Sequence, residues 1–176
     1  MIQWHNSLPL KLIPTNDPES FRSMQTGTTG LPIGSHPGAF ATRRKHHTHE
    51  GVDLYAPVGT EVFAVERGEV KEVRQFTGPE LGHDWWLPTW AVWIEGENGT
   101  VVYGEILPSV TIGDIVEAGD VVGSVMRVIS IDKGRPTSML HLELRSNGNT
   151  DDIEWIDHDV KPEDLLDPTP FLLTAV

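Results

Sequence analysis

Along the middle of the chain, apolar and polar positions change every one or two residues, and Gly or Pro closes each short run. EVFAV (61–65) and EVKEVR (69–74) are separated by Glu66, Arg67 and Gly68, a spacing that predicts a hairpin. AVWIE (91–95) and TVVYGEI (100–106) flank Gly96, Glu97, Asn98 and Gly99, where the Asn-Gly pair predicts a second hairpin. VTIGDIVEAGDVVGSV (110–125) repeats Gly-Asp at 113–114 and 119–120, each followed by an apolar pair: turn, strand, turn, strand. SMLHLELR (138–145) alternates throughout, with Leu140, Leu142 and Leu144 on one face and Met139, His141, Glu143 and Arg145 on the other. The pattern predicts a mostly β fold rich in turns, without long helices. Residues 1–48 lack such order, because Pro9, Pro14, Pro18, Pro32 and Pro37 interrupt any helix or central strand. They predict an extended arm over 1–33 that wraps a domain spanning 34–176.

At 176 residues with 38% hydrophobic positions, the chain is long enough and apolar enough for one domain with a core of its own. The formal net charge of -13 argues against binding to nucleic acid or to an anionic membrane surface. Residues 150–167 carry eight acids against Lys161 alone and read as a solvated tail or surface loop. Cysteine is absent, so disulfides and thiolate metal sites are excluded, and any metal must be held by His and carboxylate. The N-terminus shows no basic start followed by a long apolar run, and no stretch approaches 18 apolar residues. The expectation is a cytoplasmic or phage- or virion-associated protein. Composition is silent on oligomeric state.

His49 and Asp53 are four apart, a spacing that puts both on one face of a strand. The same spacing fits a helix, but Gly51, Pro57 and Gly59 make this a loop entering a strand. His141 lies on the polar face of its run and offers a third ligand. Two His and one carboxylate, with a fourth position open, is the donor set of a catalytic zinc site. With eight histidines in the chain, such a triple also arises by chance. His46 and His47 adjoin His49, and at most one of them can share its face. Arg43, Arg44 and Lys45 read as a solvated basic turn, with one arginine a candidate for a substrate carboxylate. His83 sits in TGPELGHDWWLPTW (77–90) beside Trp85, Trp86 and Trp90, which either cover the core or form a platform for an extended ligand.

The order of motifs resembles the lysostaphin/LytM-type zinc metalloendopeptidases. HEGVDLYAPVGTEVFAVERGEV (49–70) is similar to that family's His-x-x-x-Asp, Ala-Pro-x-Gly-Thr turn and Val-x-Ala strand. VVYGEI (101–106) sits at its Tyr-x-His strand, IGDIVEAGDVVGSV (112–125) at its paired Gly-Asp turns, and MLHLELR (139–145) at its His-x-His strand. PEDLLDPTPFL (162–172) resembles its Asp-Pro close. The resemblance covers about residues 34–172 and implies a compact antiparallel β-sheet sandwich with a long N-terminal arm. It implies one zinc ion held by His49, Asp53 and His141, with two further histidines assisting peptide hydrolysis. It also implies a peptidoglycan-type peptide as partner. Both assisting positions depart from the pattern: Glu105 replaces one histidine and Met139 the other. Methionine can neither transfer a proton nor donate to an oxyanion. By alternation, Glu105 is expected on the face of Val101 and Tyr103.

Two functional expectations follow. In one, zinc is retained but peptidase activity is reduced or lost, and the domain binds a peptide or another protein. In the other, Glu105 is the general base, Tyr103 or an arginine stabilises the tetrahedral intermediate, and His83 swings in for a missing histidine. Glu105 as an outer partner of the zinc site, or as a fourth ligand, stays open.

Overall fold

A computed structural model describes residues 2–19 and 27–176; Met1 and residues 20–26 of the expected arm lie outside them. Strands β1 (Lys11–Thr15) and β2 (Thr28–Pro32) pair in parallel as a small separate sheet. The other nine form one sheet in which every pairing is antiparallel: β3 (Val52–Tyr55), β4 (Glu61–Phe63), β5 (Gly68–Thr77), β6 (Thr89–Gly96), β7 (Thr100–Pro108), β8 (Ile115–Val116), β9 (Val121–Val125), β10 (Met139–Arg145) and β11 (Leu165–Leu166). One short helix, α1 (Thr169–Leu173), follows. The architecture is the mostly β one the sequence pattern predicts. Among the described residues no helix is long and apolar enough to cross a membrane.

β10 is the centre of the arrangement. β7 lies along one edge, while β3 and β11 lie end to end along the other. Leu140, Leu142 and Leu144 pack with Val52, Leu54, Val101 and Tyr103 into the main core. The opposite face is covered as well, in part by a smaller cluster of Ala91, Trp93 and Val102 with Phe76 against it. His141, Glu143 and Arg145 are therefore buried polar groups rather than a solvated side.

The second predicted hairpin forms, with β6 antiparallel to β7 and the Gly96 N–H donating to the Gly99 carbonyl at 2.9 Å. Both Gly-Asp turns form too. Asp114 and Asp120 each accept, through Oδ2, from the backbone N–H three residues earlier (Thr111 and Glu117) at 2.8 Å. The first predicted hairpin does not form. β4 pairs with β9, and β5 pairs with β6 and β8. Val62, Ala64 and Val65 are all buried, so this segment runs through the core and cannot fold flat onto β5. Residues 66–68 are a crossing between two parts of the sheet.

Trp4, Leu8 and Leu31 of the N-terminal arm belong to the main core. Trp4 stacks on Phe171 of α1 with ring centroids 4.8 Å apart, and its carbonyl accepts from the Val176 N–H at 3.0 Å. The acidic stretch after residue 150 keeps its eight acids exposed, as a surface loop would, while it is anchored at several points. Arg74 holds Asp152 at 2.8 Å, Arg145 donates to the Asp151 carbonyl, and Trp155 is buried against Phe40. Replacing Trp4 by Ala is expected to cost about 3–5 kcal/mol of unfolding free energy, the usual loss for a buried tryptophan, as read from denaturant midpoints. A loss under about 1 kcal/mol would show that the arm is not part of the folded core.

Candidate metal centre

Sheet register brings the ligand candidates together. His141 on β10 lies opposite Asp53 on β3 and opposite Gly104 on β7. Opposed residues share a face, so both side chains leave the sheet on the same side. His49 arrives from the preceding loop, fixed by its N–H to the Thr42 carbonyl and its own carbonyl to the Ala41 N–H, each at 2.9 Å. Gly51, between His49 and Asp53, is forced by close approach. A Cβ there would sit 2.5 Å from the Leu142 carbonyl oxygen, 2.9 Å from His141 Nε2 and 3.0 Å from Glu143 Cγ.

Three atoms converge at this point. Asp53 Oδ1 lies 2.9 Å from His141 Nδ1 and 3.1 Å from His49 Nε2, and the two nitrogens are 3.3 Å apart. Ligand bonds of about 2.0–2.2 Å in a tetrahedral shell would separate such donors by roughly 3.3 Å. The remaining atom of each side chain is committed elsewhere. His49 Nδ1 meets the Ala39 carbonyl at 2.9 Å, which makes it the N–H and leaves Nε2 as a lone pair. His141 Nε2 meets Glu143 Oε1 at 2.9 Å, which leaves Nδ1 facing inward. Arg44 donates to Asp53 Oδ2 at 2.8 Å and to the Pro37 carbonyl at 3.0 Å, leaving Oδ1 to face the two histidines. The donor set and the outward hydrogen bonds both fit one divalent cation.

Electrostatics agree. Burial alone would raise the Asp53 pKa, yet His49, Arg44 and His141 hold it well below the usual carboxylate range. Burial lowers His49. His141 goes the other way, because its hydrogen bonds to Asp53 and Glu143 outweigh burial and raise it. Glu143, despite its burial, is pulled down to about 2 by His141 and Arg145. Charges therefore alternate along Arg145, Glu143, His141, Asp53 and Arg44.

The sequence and the fold have counterparts in known proteins. The family model described as peptidase family M23 matches residues 47–153. The chain belongs to peptidase family M23. The fold also resembles the catalytic domain of the antimicrobial peptidase lysostaphin from Staphylococcus simulans, with 20% identity, a TM-score of 0.51, and coverage of 77% of this chain and 87% of that one. LytU matches at 26% identity and a TM-score of 0.51 over 76% of this chain and 79% of its own. Lysostaphin in solution matches at 21% identity and a TM-score of 0.55, over 83% of this chain but only 50% of that one. No curated protein matches the sequence.

Within this M23 domain, Glu105 departs from its expected face. Trp90 and Val92 on β6 pair with Ile106 and Tyr103 on β7, so two steps on one strand meet three on the other. The bulge places Glu105 at φ 65, a left-handed conformation that costs a non-glycine residue about 1–3 kcal/mol. Val101, Tyr103 and then Ile106 face the core, so Glu105 is turned out of their row. Its carboxyl is buried, and Oε2 has no hydrogen-bond partner. Burial, followed by the charge of Asp53, pushes its pKa up to about 8.

The other sequence candidates lie elsewhere or serve other ends. The Tyr103 hydroxyl is in the core, accepting from the Val65 N–H at 2.9 Å, and is not brought to His49, Asp53 and His141. His83 stacks on Trp85 at 4.7 Å, and Lys133 lies 3.3 Å from the same ring, so Trp85 is already engaged by its own chain. His47 pairs with Glu50 at 3.2 Å. Arg44, expected in a solvated turn, instead clamps Asp53. Glu143, Arg145 and the Ala39 carbonyl were not singled out by sequence reasoning; the only signal was that Glu143 and Arg145 share the face of His141.

Two outcomes test this geometry. Gly51→Ala is expected to displace β10 against the loop and weaken divalent-metal affinity at least tenfold by competition with a chromophoric chelator; unchanged affinity would contradict the packing. In metal-free protein, Glu105 keeps a proton that the unfolded chain sheds above about pH 4.5, so its burial costs stability increasingly between about pH 4.5 and 8. Glu105→Gln removes that cost. Its melting temperature relative to wild type should therefore rise from pH 5 to pH 9, and a pH-independent difference would count against the assignment.

Proposed function

We propose that this M23 domain holds one zinc ion on His49, Asp53 and His141 and serves mainly in binding, with peptidase activity reduced or lost. The observation that carries the proposal is the contrast between the ligands and their surroundings. Each ligand's second polar atom is engaged so that its donor atom points inward. Met139, at a position where the resemblance implies an acid–base histidine, offers only a thioether. Zinc bound here would supply Lewis acidity, polarising a carbonyl and acidifying water. The chain's own residues would hold the ion and brace the loop carrying His49 against β3 and β10. The partner class is a peptidoglycan-type peptide or another protein.

One observation favours a second reading, an active metalloendopeptidase. Glu105 has a buried, unpartnered carboxylate oxygen and lies within electrostatic reach of Asp53 and His141. A dication nearby would favour its ionised form, and an ionised Glu105 can accept a proton as a general base.

One set of measurements separates the readings. Zinc content, the melting temperature with and without chelator, and hydrolysis of glycine-rich and D-alanine-containing peptides are compared for wild type, Glu105→Gln and the double variant Glu105→His, Met139→His. The proposal expects one zinc per chain, a melting temperature several degrees lower after chelation, and wild-type hydrolysis about 10²–10⁴ below that of the double variant. Wild-type hydrolysis that Glu105→Gln abolishes would replace it with the second reading. No zinc retention would defeat both.

A further inference from the structure

We infer that Glu143 and Arg145 are positioning residues for His141: the run from His141 through Glu143 and Arg145 to the Asp151 carbonyl selects which imidazole nitrogen faces the metal and ties the acidic segment to the site. The inference rests on the zinc reading above and adds residues that the ligand motif does not contain.

The division of Glu143 between two partners is the first support. Its Oε1 accepts from His141 Nε2 at 2.9 Å, and its Oε2 accepts from Arg145 Nε at 2.8 Å and Nη2 at 2.5 Å. With one oxygen taken by each neighbour, the carboxylate plane cannot rotate without breaking a charge-assisted bond. His141 can then present only Nδ1 to Asp53 and His49.

Arg145 is itself buried and held on several sides. It is 2% exposed, its guanidinium carbon lies 5.9 Å from the Trp93 ring centre, and Nη1 donates to the Asp151 carbonyl. Arg74 lies over the same tryptophan at 3.9 Å and donates to the Thr150 carbonyl at 2.6 Å and Asp152 at 2.8 Å. Two arginines on one indole thus hold residues 150–152, and one of them reaches the ligand through Glu143. Gly51 closes the other side, since any Cβ there would press on both His141 Nε2 and Glu143 Cγ. The hydrogen bond that orients the ligand is sealed between the ligand loop and β10.

Stability alone gives weak grounds for such a network. Buried ion pairs are often no better than apolar residues of similar volume, because desolvation offsets their attraction. Orientation of a metal-binding imidazole is a use that apolar residues cannot meet.

The test uses the full chain, with and without zinc, and histidine ¹⁵N NMR together with competition titrations. In zinc-loaded wild type, His141 should be ligated through Nδ1 and protonated at Nε2, and His49 ligated through Nε2. In metal-free wild type, the His141 Nε2 proton should give a slowly exchanging downfield resonance. Glu143→Gln should lower the metal-free melting temperature, because buried Arg145 loses its counter-charge, and, measured well below that midpoint, should raise the zinc dissociation constant about 10–100-fold, with Arg145→Lys between it and wild type. Ligation of His141 through Nε2, rapid exchange of its Nε2 proton, or a folded Glu143→Gln that binds zinc within twofold of wild type would overturn the inference. If a variant fails to fold, the wild-type resonances decide. Wild type that binds no zinc yet shows the protected proton would defeat the metal reading and leave the positioning contact established.

Discussion

Three lone-pair atoms held within 3.3 Å of one another in a buried site repel unless a proton or a cation lies among them. That constraint explains the surroundings. His49, Asp53 and His141 come from a loop and two strands, and each is denied any easy relaxation by a partner on its far side. The Ala39 carbonyl, Arg44 and Glu143 keep the lone pairs converging. The positive charges of Arg44 and Arg145 balance the two carboxylates nearby, so the pocket tolerates its own acids before any ion arrives. β10 makes this possible by being buried on both faces: its leucines fasten it to the core, and its polar row is free to build the site.

The bulge in β7 is the second device. A regular strand would have sent the residue after Gly104 into the core beside Tyr103. The extra residue instead keeps Tyr103 and Ile106 in the core and turns Glu105 out of their row. Gly104 belongs to the same design, because a Cβ there would meet the Phe76 ring at 2.6 Å, and Phe76 lies beside His141. A strained backbone at a carboxyl with an unpartnered buried oxygen is the form in which functional sites commonly store cost. The position of Glu105 is set by the strand and not by side-chain choice.

Much of this was legible in the sequence, and the failures have physical causes. The alternation of SMLHLELR identified β10 and put His141, Glu143 and Arg145 on one side, but alternation gives no depth, so both faces being covered could not be seen. The Asn-Gly and Gly-Asp turns are local chemistry and were readable. The expected hairpin of 61–65 with 69–74 was not, because close spacing in sequence cannot reveal that Val62, Ala64 and Val65 cross the core. The order of motifs indicated the family, and the four-residue spacing of His49 and Asp53 pointed to a shared face. Arg44 looked like part of a basic turn, because its partner Asp53 is recruited by the fold. The facing of Glu105 was misjudged for a related reason: a bulge changes the period of a strand and leaves no mark in composition.

A domain kept only for its fold would have little need of this polar interior. His141, Glu143, Arg145 and Asp53 are all buried, and truncating one member of such a set typically costs 3–5 kcal/mol because the others are left unpaired. Apolar side chains of similar volume on β10 would hold the same sheet without that vulnerability. The structure therefore spends stability on presenting three donors to one point, and it does so even with Met139 and Glu105 at the positions expected to handle protons. Ion binding and peptide hydrolysis make separate demands on the site. His49, Asp53 and His141, with their outer partners, fit the first, whereas at the positions where the resemblance implies histidines for the second stand Glu105 and Met139.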